Sequence, residues 1–121
     1  MTGGEMAQAA RVVVNASQAT GMARDDWVSV FFALAQERRA SPGCRWLMNA
    51  STLGRLVQAW AYSGEVFLSK ADLTGPVRLM GVEIVEDGTV APVGPGARSV
   101  VLADVGPGGA PVGDVVVLKH P

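Results

Sequence analysis

Leu53, Leu56, Val57, Trp60 and Ala61 recur at i, i+3, i+4, i+7 and i+8, the spacing of one helix face, and predict a helix capped by Asn49 or Ser51. Gly64, after Tyr62-Ser63, is its expected C-terminal stop. Just before it, Arg45 to Met48 reads as an extended, largely buried strand. A second helix follows from the stripe Trp27, Phe31 and Leu34, widened by Val28, Val30, Phe32 and Ala35. Asp25 or Asp26 is its expected cap; Glu37, Arg38 and Arg39 form its polar end, with the arginines set against the last carbonyls. Ser41-Pro42-Gly43 stops it.

Short β-branched runs dominate the second half. Leu79 to Val85 predicts one strand, with Gly81 a bulge or a point of close approach, and Glu86-Asp87-Gly88 a turn. Ser99 to Val105 and Asp114 to Lys119 predict two more strands, paired as a hairpin across the turn-rich residues 106–111. Pro92, Gly94, Pro95 and Gly96 make a stiff connection before them. Residues 64–78 carry Phe67 and Leu68 without a period and read as a long loop, a class that tends to be functional or mobile. Residues 1–19 stay open: Thr2 and Glu5 have capping-box spacing and Met6, Ala9, Ala10, Val13 and Val14 helical spacing, yet Arg11 to Asn15 suits a strand equally. The sum is one α/β domain over residues 1–121.

Composition narrows the function. With 121 residues the chain is long enough for a core without staples, and at 49% apolar and 17% charged residues it is no disordered tail. So apolar a composition fits surface reserved for a neighbour, or equally the Ala- and Val-rich usage of a GC-rich genome. A net charge of −1 argues against non-specific nucleic-acid binding, which needs clustered basic surface. Residues 1–63 carry six basic and four acidic groups and residues 64–121 four and seven, too small an asymmetry to specify a partner. Lone Cys44 fits a reducing compartment, no run is long enough to span a bilayer, and Met1 to Glu5 lacks the features of a signal peptide, so a protein neither exported nor inserted is expected.

Candidate chemistry is sparse. His120 lies one residue from the C-terminus and is expected to be exposed and frayed, which leaves no histidine for a serine triad or a multi-histidine metal site. Cys44, at the entrance of an apolar strand, reads as a small core residue rather than a nucleophile. Asp104, at a strand end, is expected to accept N–H groups of the following Gly-Pro turn rather than bind a cation. The glycines at 94–96 and 106–109 lack the Lys-Ser/Thr of a phosphate loop and read as turns. Trp27, Trp46 and Trp60 read as core, and Arg38, Arg39 and Arg55 as solvated surface. No catalytic residue, cofactor or metal ligand is assigned.

Four blocks, in order, carry a resemblance. They are Ala19-Thr20-Gly21 with Asp25-Asp26-Trp27; Arg45-Trp46-Leu47-Met48-Asn49 with Thr52-Leu53; Leu79-Met80-Gly81-Val82-Glu83-Ile84-Val85; and Val100-Val101-Leu102-Ala103-Asp104-Val105. Together they resemble the central part of the tailed-phage major capsid protein, whose fold is shared with encapsulins. Glu83 stands where that family usually has Pro, and Ala103 and Val105 replace Gly and Phe around Asp104. The resemblance implies the axial domain alone, a central mixed sheet flanked by two or three helices, because complete family subunits are more than twice as long. It is compatible with an excised domain, a degenerate prophage product or a small protein that mimics a wedge. It implies a structural, non-catalytic role in a virion capsid, with synthesis in the bacterial host cytoplasm. The implied partners are copies of itself or related capsid subunits, with no specific nucleic acid and no membrane. The expected contact edges are Tyr62, Gly64, Phe67 and Leu68 on one loop, and Pro95 and Pro107 on turns. The rival reading is a small free-standing ligand- or peptide-binding module using residues 64–78, and an enzyme comes third.

Overall fold

The computed structural model describes residues 1–63, 68–69 and 77–121, with side chains for 1–59 and 77–121. In chain order the elements are α1 (Gly3–Ala9), β1 (Val12–Asn15), α2 (Arg24–Ala33), α3 (Gln36–Arg39), β2 (Cys44–Met48), α4 (Ala50–Ser63), β3 (Leu68–Ser69), β4 (Arg78–Leu79), β5 (Val82–Glu86), β6 (Arg98–Asp104) and β7 (Val116–Lys119). The strands form one seven-stranded sheet in the order β1-β7-β6-β2-β5-β4-β3. The β1–β7 and β2–β5 pairs are parallel and the others antiparallel, so the sheet is mixed, as expected. The apolar strands predicted from sequence sit side by side at its centre, β2 between β5 and β6.

Alternation along these strands makes two cores. Trp46, Met48, Ile84, Val100, Leu102, Val116 and Leu118 face Trp27, Val30 and Leu34 of the α2 region and Leu56 of α4. Leu47, Val101, Ala103 and Val117 face the other way, onto Met6 and Ala7 of α1. Trp46 is fully buried, meets Trp27 edge-on at 5.8 Å, and donates its indole N–H to the Leu79 carbonyl at 3.0 Å. The Trp60 side chain lies outside the described residues.

The open N-terminal region resolves into both readings, a helix and then a strand. α1 carries the Thr2–Glu5 capping box, and Arg11 to Asn15 contains β1. Gly3 and Gly4 sit so close to the 87–90 turn that a Cβ on either would collide with Asp87 or Thr89. Their amides donate to the Asp87 carboxylate at 2.9 Å and the Thr89 hydroxyl at 2.8 Å, fixing α1 on the sheet. Arg98 closes the other end of α1 by donating to the Ala7 and Gln8 carbonyls.

Three local expectations are corrected. The second helix breaks at Leu34, whose backbone is extended as its side chain enters the core, and restarts as α3. Asp26 is not the cap of α2 but its third residue: it reaches back to the Ala23 N–H (2.8 Å) and also accepts from the Ser17 N–H and hydroxyl. Leu79 to Val85 is not one strand, because Met80 (φ 49°) and Gly81 (φ 80°) are both left-handed and form the two-residue turn of the β4–β5 hairpin. By contrast Asn49 caps α4 as expected, its side-chain oxygen accepting the Ser51 N–H at 3.0 Å. The β6–β7 hairpin also forms as expected.

Candidate functional site

The groups with chemical potential are built into the scaffold. Cys44 is buried at the start of β2, and burial together with the Asp104 carboxylate pushes its thiol up to about 11, so it stays protonated at neutral pH. Asp104 does not cap the following turn. Its carboxylate accepts from the Ser41 hydroxyl (2.8 Å) and from Arg38 (3.2 Å), pinning α3 to the end of β6. Arg39 donates to the Leu34 carbonyl and lies over the rings of Phe31 and Phe32, both 4.9 Å away, and Arg55 donates to the Thr20 carbonyl.

His120 corrects the sequence expectation outright: it is 1% exposed. Its Nδ1 is 2.8 Å from the Gln18 carbonyl, which only accepts, so Nδ1 carries a proton, and Nε2 lies 2.7 Å from the Ser99 hydroxyl, from which it accepts when the ring is neutral. The His120 N–H donates to the Ala97 carbonyl, and the Pro121 carbonyl accepts from Gly96, so the last residues are tied to the turn before β6. Sequence gave no signal for this, since the partners lie 21 and 102 positions away.

Among the described residues two exposed apolar features stand out. α2 presents Val28 and Phe32, one turn apart and away from the sheet, and Phe32 is 64% exposed. On the opposite sheet face α1 is too short to cover β5. There Leu47 and Val85 form the floor of a groove of about 320 Å³ walled by Met1, Met6 and Val105. Arg45, paired with Glu83 at 3.1 Å, lies at one end of it. Asp87 lies at the other, its carboxyl held below the usual range by hydrogen bonds from Thr89. A second recess, about 370 Å³, is lined by Arg39, Arg45, Arg78 and Glu83. The first two arginines there are already engaged by carbonyls, rings or Glu83. Among the described residues no three His, Cys, Asp or Glu side chains gather as metal ligands, and no helix is long and apolar enough to cross a membrane.

Of the expected contact residues, Pro95 and Pro107 are exposed, on turns at opposite ends of β6. Tyr62 falls in the last turn of α4, but its side chain and that of Leu68, together with Gly64 and Phe67, lie outside what is described, as does most of the loop 64–78.

The mixed sheet with α2 and α4 on one face and α1 on the other matches the fold of part of two solved capsid chains. A chain in the capsid of the empty GTA particle, a phage-like gene transfer agent, superposes with a TM-score of 0.70 at 19% identity, over 89% of this chain and 49% of that one. A chain in the capsid of the native GTA particle gives a TM-score of 0.67 at 18% identity, over 89% of this chain and 53% of that one. The chain thus spans about half the length of the capsid chains it matches. No family model and no curated protein matches its sequence.

Proposed function

We propose that this chain is a structural, non-catalytic module of a phage- or prophage-derived shell, working through contacts with copies of itself or related capsid subunits. The observation that carries this reading is the shared fold, which takes in 89% of the chain at a TM-score of 0.70. The side-chain chemistry supports it: the Cys44 thiol is buried and held protonated, and the Ser99–His120 and Arg38–Asp104 pairs each tie one segment to another. Its place is the particle shell, after synthesis in the bacterial cytoplasm. Contacts run through Tyr62, Gly64, Phe67 and Leu68 on one side and the Pro95 and Pro107 turns on the other, because heterologous subunits must present two different complementary surfaces.

Negative-stain microscopy of the concentrated full chain tests this. Rings or larger closed assemblies are expected, and Phe67→Asp is expected to disperse them. Dispersed monomers at every concentration would count against it.

A further inference from the structure

We infer that the Phe32 knob of one copy enters the Leu47–Val85 groove of the next, making a head-to-tail contact between opposite faces of the sheet. This rests on the assembly reading above and names its surface and its partner, a second copy of this chain. Shape argues for it first. Phe32 is 64% exposed and flanked by exposed Val28, whereas the groove holds about 320 Å³; an apolar cavity of roughly 150 Å³ already accepts a benzene ring.

Position argues second. α2 lies on the Trp46 side of the sheet and the groove on the Leu47 side. The two features therefore cannot meet within one copy. A knob and a socket on opposite faces give a heterologous contact, which repeats and closes into a ring when the rotation allows. Charge argues third. The Arg39 guanidinium lies 4.9 Å from the Phe32 ring centre, and the groove carries the Asp87 carboxylate at the end away from Arg45. Seating Phe32 would bring the cation to that end, and an apolar anchor with an adjacent arginine is a common composition of interface hot spots.

Phe32→Asp and Val85→Asp test this, with circular dichroism confirming the fold and Phe32→Ser and Val85→Thr as milder counterparts. Each variant alone should need about thirty-fold more protein than wild type to assemble, the scale of one hot-spot residue. Mixed together, Phe32→Asp supplies an intact groove and Val85→Asp an intact knob. The mixture should associate at a lower protein concentration than either variant alone, because it restores one intact knob-and-groove pair. Variants that assemble like wild type would overturn the knob-in-groove contact and leave the assembly reading standing. Variants that are monomeric alone and also when mixed would overturn the head-to-tail pairing. A wild-type chain that stays monomeric throughout would overturn both.

Discussion

The two faces of the sheet are finished differently. On the Trp46 face two helices cover the strands, and Trp27, Val30, Leu34, Leu56 and Trp46 make a closed core with aromatic pairs at 5.8 and 6.5 Å. On the Leu47 face one seven-residue helix covers β6 and β7 and stops, leaving Val85 38% exposed in the groove. The first face is where the fold is held together. The second carries less helix, and it is there that the groove opens beside Val85.

Trp46→Ala should have the largest effect, about 3–5 kcal/mol, because it empties the closed core and frees a buried carbonyl. Urea denaturation measures it. Met6→Ala, also buried but beside the open groove, should cost about 2 kcal/mol, the low end for such a truncation, since the site can collapse or admit water. If Met6→Ala costs as much as Trp46→Ala, the contrast between the faces is wrong.

A smaller gain is expected from Thr52→Val in α4. The Thr52 hydroxyl is buried without a hydrogen-bond partner, so its removal should stabilise by about 1 kcal/mol in the same titration. The smallest effect belongs to Cys44. Its thiol is raised from 9.0 to about 11 in the fold, so folded protein holds that proton longer than unfolded protein. Its contribution is complete below pH 9 and is lost as pH rises from there towards 11. Cys44→Ser should flatten that alkaline decline in a pH series of melts. Iodoacetamide at pH 8 should modify Cys44 only after denaturant is added.

How much of this was legible in the chain depended on how local the physics was. The Asn49 cap and the Thr2–Glu5 box rest on contacts within a few residues, and the Trp46 strand announces itself by its own apolar run, so all three can be read directly. The Met80–Gly81 turn was hidden inside a continuous apolar run, because a two-residue hairpin between buried strands looks like one longer strand. Asp26 looked like a cap since carboxylates favour the helix start, but Ser17 and Ala23 drew it one turn inward. His120, the Arg38–Asp104 pair and the seating of Gly3 and Gly4 all depend on strand order, which no local pattern encodes. The groove was invisible for the same reason: it exists only because α1 lands over β6 and not over β5.

Sedimentation velocity of the 121-residue chain across a wide concentration range tests the central claim most directly, that this domain works by meeting others of its kind. A distribution that moves with concentration from the 12.5 kDa species to discrete larger ones is the predicted result. A single 12.5 kDa boundary at every concentration would contradict it.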